Sequence, residues 1–132
     1  MPEISMGNAR RDGGDFGGWF VGNLAGWNRS GGTNIPVRQF GYRQTKTVEI
    51  KWGVHSRGEV RPGGWSGLSE GYSISLLVRG VFKLTFGDPV NPEIWQELRL
   101  EHEGDYILWG PGIAHTWQAL ADSVVLTVRW VD

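Results

Sequence analysis

The chain has no cysteine, and that single absence excludes disulfide frameworks, thiolate zinc sites, iron-sulfur clusters and thiol nucleophiles. Any chemistry must use imidazole, carboxylate, hydroxyl or guanidinium groups. An excess of either charge is also missing. Thirteen Lys and Arg against 14 Asp and Glu leave a formal net charge of -1, which gives a polyanion no electrostatic reason to bind, so no nucleic acid partner is expected. Long apolar runs are absent too. Segments such as Ser75-Leu76-Leu77-Val78 fall far short of the roughly 20 residues that a membrane-spanning helix requires. The amino-terminal MPEISMGNARRDGGDFGG lacks the basic flank and apolar stretch of an export signal, so no membrane association and a cytoplasmic location are expected. No G-x-x-x-x-G-K-[ST] phosphate loop occurs, and no Ser-His-Asp spacing identifies a hydrolase.

What is present points to strands. The 132 residues fit one domain, and 21 of them are Gly, which a helical bundle would absorb at a cost of roughly 1 kcal/mol per interior site. Only two Met stand beside eight Trp, five Phe and three Tyr, so rings carry much of the apolar surface. Residues 1–46 read as a Gly-rich arm in which isolated aromatics (Phe16, Trp19, Phe20, Trp27) follow no period. Its cohesive piece, Gly18 to Gly22, is expected to dock on a hydrophobic surface while Met1 to Gly14 stays mobile.

From Thr47 onward the pattern alternates. Val48, Ile50, Trp52 and Val54 interleave with Glu49, Lys51, Gly53 and His55, which predicts a strand ending in a histidine. Residues 56–71 hold five Gly and one Pro and read as a long connection. Tyr72 to Arg79 and Val81 to Phe86 alternate again around Gly80, 87–92 reads as a turn, and Glu93 to Glu101 fits either a strand or a short helix. Tyr106 to Trp109, His115 to Leu120 and Val124 to Val131 complete the strand candidates. Short strands separated by Gly, Pro and Asp predict an all-β, antiparallel sandwich or barrel over residues 47–132.

The stretch Glu103 to Trp117 resembles the second conserved motif of the cupins. Gly104, Gly112 and His115 fall on its pattern, with Gly110 in the proline position, Pro111 one place later, and Ala119 where the motif ends in Asn. The first cupin motif is matched only at His55: Arg57 stands where a second His would be, and Ser73, counted back from Gly80, where the metal-binding Glu would be. The resemblance covers about residues 48–131. It implies a small single-domain cupin, a double-stranded β-helix or jelly-roll barrel with a Gly-rich N-terminal arm, in which His55 and His115 point into the barrel from different strands.

On that footing the expected function is small-molecule binding or sensing, in a pocket built from His55, Ser73, Trp109, His115 and Trp117. The alternative is an enzyme. It would be either a metal-dependent oxygenase or isomerase with His55, Glu59 and His115 as ligands to Fe, Ni, Mn or Zn, or a metal-free isomerase or cyclase with a His as acid-base catalyst. No cofactor is favoured, because Arg57 would set a fixed cation at a ligand position. A catalytic imidazole would need a partner, for which Asp105, Glu59, Ser73 and Ser75 are candidates. Each histidine also has a purely structural reading, and Trp65, Trp109 and Trp117 suit core or recognition equally. Trp52 and Trp130 share parity with aliphatics and are expected in the core, while Arg57, Arg61, Arg79 and Arg129 read as surface groups before anion contacts.

Parity carries a conflict. His55 shares a face with Glu49 and Lys51, and Ser73 with Ser75, whereas the opposite faces of both strands are apolar. Either the barrel interior is polar and its apolar outer face is covered by the arm or a second subunit, or a bulge near Gly53 switches His55 inward. The first is preferred, and a homodimer follows from it.

Overall fold

The computed structural model describes residues 4, 6, 8–14, 17–21, 48–88 and 90–131. Residues 22–47, including Trp27 and most of the arm expected before the barrel, lie outside the described residues, as does Phe16. The elements are a helical turn α1 (Ala9–Asp12) and eight strands, β1 (Trp19–Val21), β2 (Val48–His55), β3 (Tyr72–Arg79), β4 (Phe82–Asp88), β5 (Asn91–Leu100), β6 (Tyr106–Trp109), β7 (Ala114–Ala119) and β8 (Ser123–Trp130). They form a five-stranded sheet ordered β1-β2-β8-β3-β6 and a three-stranded sheet ordered β5-β4-β7. Every pairing is antiparallel. No helix among the described residues is long and apolar enough to cross a membrane.

The expected strands are present with small shifts at their ends. The window that fitted strand or helix is strand β5, and the turn expected over 87–92 contracts because β4 runs to Asp88 and β5 starts at Asn91. Residues 8–14 hold a capped turn: the Asn8 side chain accepts from the Arg11 N–H at 3.0 Å, and Asp12 is buried. The docking piece of the arm is β1, which adds an edge strand beside β2 with Trp19 opposite Lys51.

The register settles which face is inside. Across the larger sheet Glu49, Arg129, Ser73 and Trp109 form one row, and Lys51, Thr127, Ser75 and Ile107 the next. A third row, Gly53, Val125 and Leu77, leads to the apolar end. Glu49, Gly53, His55, Ser73, Ser75 and Leu77 are all buried. The interior therefore has two halves. One is a packed core of Leu77, Phe82, Leu84, Phe86, Leu100 and Val125, among others, and the other is lined by polar side chains. The parity conflict resolves in favour of a polar interior, with no switch at Gly53. Trp52 and Trp130 are consequently on the outer face and only half-buried, not in the core as expected. Their aliphatic neighbours share that face because the sheet turns its apolar side outward.

The connection 56–71 is ordered by the free edge of β7. Gly58 N–H donates to the Ala119 carbonyl at 2.8 Å, Arg61 N–H to Trp117 at 3.1 Å, Ser66 N–H to His115 at 2.8 Å and Ser69 N–H to Ile113 at 3.1 Å. These bonds satisfy an edge that would otherwise stay open and bring Glu59, Arg61 and Ser66 over the polar half of the barrel.

Candidate functional site

A cavity of about 880 Å³ occupies the polar half. All five residues expected to form a pocket, His55, Ser73, Trp109, His115 and Trp117, line it together with Glu59. Both histidines thus share one interior although 60 positions separate them in the chain.

His55 ends β2 with its Nδ1 3.1 Å from Glu59 Oε1, while Glu59 Oε2 accepts the Ser56 N–H at 3.1 Å. A carboxylate only accepts, so Nδ1 carries the proton and Nε2 holds the lone pair in the neutral ring. The ring folds back over its own strand. A Cβ at position 53 would lie 2.7 Å from His55 Nε2, so any larger residue there would displace the imidazole. Trp117 and Phe82 flank the imidazole with centroids at 4.4 and 5.2 Å. Burial lowers the His55 pKa, the bond to Glu59 opposes this, and Lys51 lowers it further. For Glu59, burial raises the pKa, but the bonds from His55 and Ser56 outweigh it and leave the carboxyl below its ordinary range.

His115 follows the turn Gly110-Pro111-Gly112, where Gly112 has φ +80° and suits the left-handed backbone that only glycine adopts without strain. Its partner is Ser66. That hydroxyl donates to the Gly67 carbonyl at 2.8 Å and accepts the His115 backbone N–H at 2.9 Å. The remaining 3.1 Å contact with Nδ1 is then satisfied by Nδ1–H donating to the same oxygen, so Nε2 is again unprotonated. Burial, then Arg61, Arg129 and Lys51, hold the His115 pKa down at about 3. His115 is neutral at any physiological pH.

The cations come from three elements. Lys51 on β2 lies 5.8 Å from the ring centroids of both Trp19 and Trp117, and burial, with Arg129 and Arg61 nearby, pushes its pKa down to about 8. Arg129 on β8 covers Trp19 at 4.1 Å and meets Glu49 at 3.2 Å. Burial pushes the Glu49 carboxyl up to about 8 against the pull of Arg129. Arg61 reaches in from the connection, its guanidinium steadied by the Pro62 and Gly64 carbonyls at 3.1 and 3.3 Å.

Several expectations need correction. Arg57 is exposed and does not line the cavity; its N–H donates to Asp122 at 2.8 Å. Arg79 is exposed as well. Arg61 and Arg129, read as surface groups, enter the cavity with Lys51, which was not singled out although it shares the inward parity of His55. Of the candidate imidazole partners, Glu59 holds His55. Asp105 instead closes the 101–105 turn by accepting N–H bonds from Glu101 and His102 at 3.0 and 2.9 Å. Ser75 bonds Thr127 at 2.8 Å. Ser66 was missed, since nothing in a structureless stretch signals which hydroxyl will meet β7. Trp65 is not among the lining residues.

Similar folds occur in solved structures. A cupin superfamily protein from Desulfitobacterium hafniense matches with a TM-score of 0.56 and 18% identity, covering 74% of this chain and 84% of that one. The fold is that of a cupin. KdgF from Halomonas sp. matches at TM-score 0.53 and 21% identity over 68% of this chain and 75% of its own. HppE, in complex with cobalt(II) and substrate, matches at 0.53 and 12% identity, covering 64% of this chain and 45% of its own. No family model and no curated protein matches the sequence.

Cupin neighbours such as HppE raise the question of a metal, and of the expected ligand set His55, Glu59 and His115 the two imidazoles each keep an unprotonated Nε2. Glu59 Oε1 is engaged with His55 Nδ1, which removes the carboxylate from the set and orients the ring without occupying its Nε2. Among the described residues no three His, Asp or Glu side chains converge. The surroundings are also cationic: burial first, and then Arg61, Arg129 and Lys51, hold the His115 pKa down, and neighbouring cations weaken the attraction of a site for a divalent ion.

Proposed function

We propose that this cupin binds or senses a small organic molecule directly, through stacking on Trp117 and hydrogen bonds from the polar interior, without a bridging metal. The observation that carries the reading is the 880 Å³ cavity itself, lined by indole rings beside buried hydroxyls and imidazoles. That size and mixture suit one compact ligand. A thermal-shift screen of metabolite-sized compounds tests it, because a molecule bound only by the folded chain must raise the melting temperature. Hits that lose their effect in Trp117→Ala support the pocket. A screen without hits, or hits indifferent to Trp117, overturns it.

One observation favours a second reading, a metal-free isomerase or cyclase. The His55–Glu59 pair is a buried imidazole held by a carboxylate, the arrangement a general base needs. Deuterium wash-in from D2O into a bound ligand, abolished in His55→Asn, would establish this reading over passive binding; no exchange would reject it.

We also propose that the molecule works as a homodimer through the outer face of the larger sheet. Val54, Tyr72, Tyr106 and Leu108 are exposed there at 43, 38, 62 and 57%, beside Leu126 and Val128. A largely apolar face, with Arg79 at its border in the row of Val54 and Val124, can meet its own copy with little electrostatic penalty.

A further inference from the structure

Resting on the reading of the cavity as a small-molecule pocket, we propose that its ligand is a small organic carboxylate, with the anionic group held among Lys51, Arg61 and Arg129 and a flat or cyclic body against Trp117. The first support is charge. Among the described residues Arg10, Lys51, Arg61 and Arg129 line the cavity against two carboxylates, Glu59 and Glu70, and Arg129 is already met by Glu49 at 3.2 Å. Glu59 is committed to His55 and to the Ser56 N–H, and Glu70 is exposed. Neither Lys51 nor Arg61 has an ion-pair partner among the described residues. Like charges gathered in a sheltered interior repel one another, and an anion between them reverses the sign of that interaction.

The second support is hydrogen-bonding capacity left open on the cavity wall. Ser73 lines the cavity, is only 2% exposed, and its hydroxyl has no partner among the described residues. It sits in the same sheet row as Arg129. Arg61 spends one nitrogen on the Pro62 and Gly64 carbonyls, which orients the guanidinium and leaves its other N–H groups for an acceptor. Hydroxyl and guanidinium donors lining one cavity are the complement of carboxylate oxygens.

Size supplies the third. The 880 Å³ far exceeds a bare inorganic anion, so there is room for a charged group that carries a body, and the Trp117 ring offers a surface for it.

The test is calorimetric titration of the full chain with paired probes that differ in charge: benzoate and benzamide, nicotinate and nicotinamide, cyclohexanecarboxylate and its amide, glucuronate and glucose, with inorganic phosphate as an anion without a body. The expected result is that at least one carboxylate binds ten-fold or more tightly than its neutral partner and than phosphate. Lys51→Met and Arg61→Gln, each checked for folding by circular dichroism, should each erase most of that preference. Two variants are used so that loss of fold in one leaves the other decisive. Neutral partners binding as well as the carboxylates would overturn the anion assignment and leave the pocket standing. Phosphate equalling the carboxylates would remove the role of the body. Binding by no probe, charged or neutral, would overturn the pocket and the anion together.

Discussion

The guanidinium of Arg129 lies 4.1 Å over the ring of Trp19, joining the carboxyl-terminal strand to the short strand that precedes the barrel. Trp19 is 5% exposed, and its ring also faces Lys51, so one indole shields two of the cavity's cations. Replacing Trp19 by Ala removes a buried aromatic and a cation-π partner together, at an expected cost of about 3 kcal/mol or more. Urea denaturation measures it. A loss below ~0.5 kcal/mol, within the range of ordinary surface substitutions, would mean that β1 does not close the cavity wall.

The pair His55 and Glu59 makes a sharper prediction. Glu59 raises the His55 pKa against burial and against Lys51, so Glu59→Gln should lower it further, read from the imidazole nitrogens by NMR titration. The carboxyl side of the pair is 41% exposed, so stability should change by less than ~1 kcal/mol. An unchanged or raised His55 pKa would show that the contact does not form in solution.

His115 should govern part of the acid response. Its folded pKa of about 3 lies below its ordinary 6.5, so the unfolded chain binds the proton first as pH falls. Stability from this group is therefore present above pH 6.5 and lost on the way down to 3, at up to ~1.4 kcal/mol per pH unit. Glu49, raised from 4.5 to about 8, has the opposite slope and loses stability as pH rises between those values. In His115→Asn the free energy of unfolding should decline less steeply than wild type between pH 6.5 and 3. Parallel profiles for the two proteins would reject a neutral, buried His115.

The outer face of the larger sheet gives an assembly prediction. Wild-type protein should elute with the light-scattering mass of two chains, and Leu108→Lys combined with Val54→Lys should shift it to one, because charges placed on a self-complementary apolar face repel their symmetry copies. A single-chain mass for wild type would remove the dimer.

Much of this architecture was legible in the residues. Alternation located β2, β3 and β8 closely, and the Gly-Pro-Gly turn ahead of His115 presented the second imidazole as expected. Two histidines, a buried serine and two tryptophans named from the sequence line one cavity. Period two also states that Glu49, Lys51 and His55 share a face, but not which face meets the opposite sheet. That choice decided that Lys51 and Arg129 point inward and that Trp52 and Trp130 point out. It depends on how the two sheets stack, a property of all the strands at once.

The connection 56–71 was illegible for a different reason. A segment rich in Gly has no period, and its conformation comes from hydrogen bonds to the edge of β7, a strand more than 40 positions away in sequence. Glu59, Arg61 and Ser66 acquire their roles only through those bonds. The amino-acid sequence by itself determined the strands, the turns and the absence of thiol chemistry, because these follow from local backbone preference and composition. Only the tertiary structure decided that the interior is polar and cationic, because the inward direction of a side chain and the repulsion among distant charges exist only once the sheets face each other.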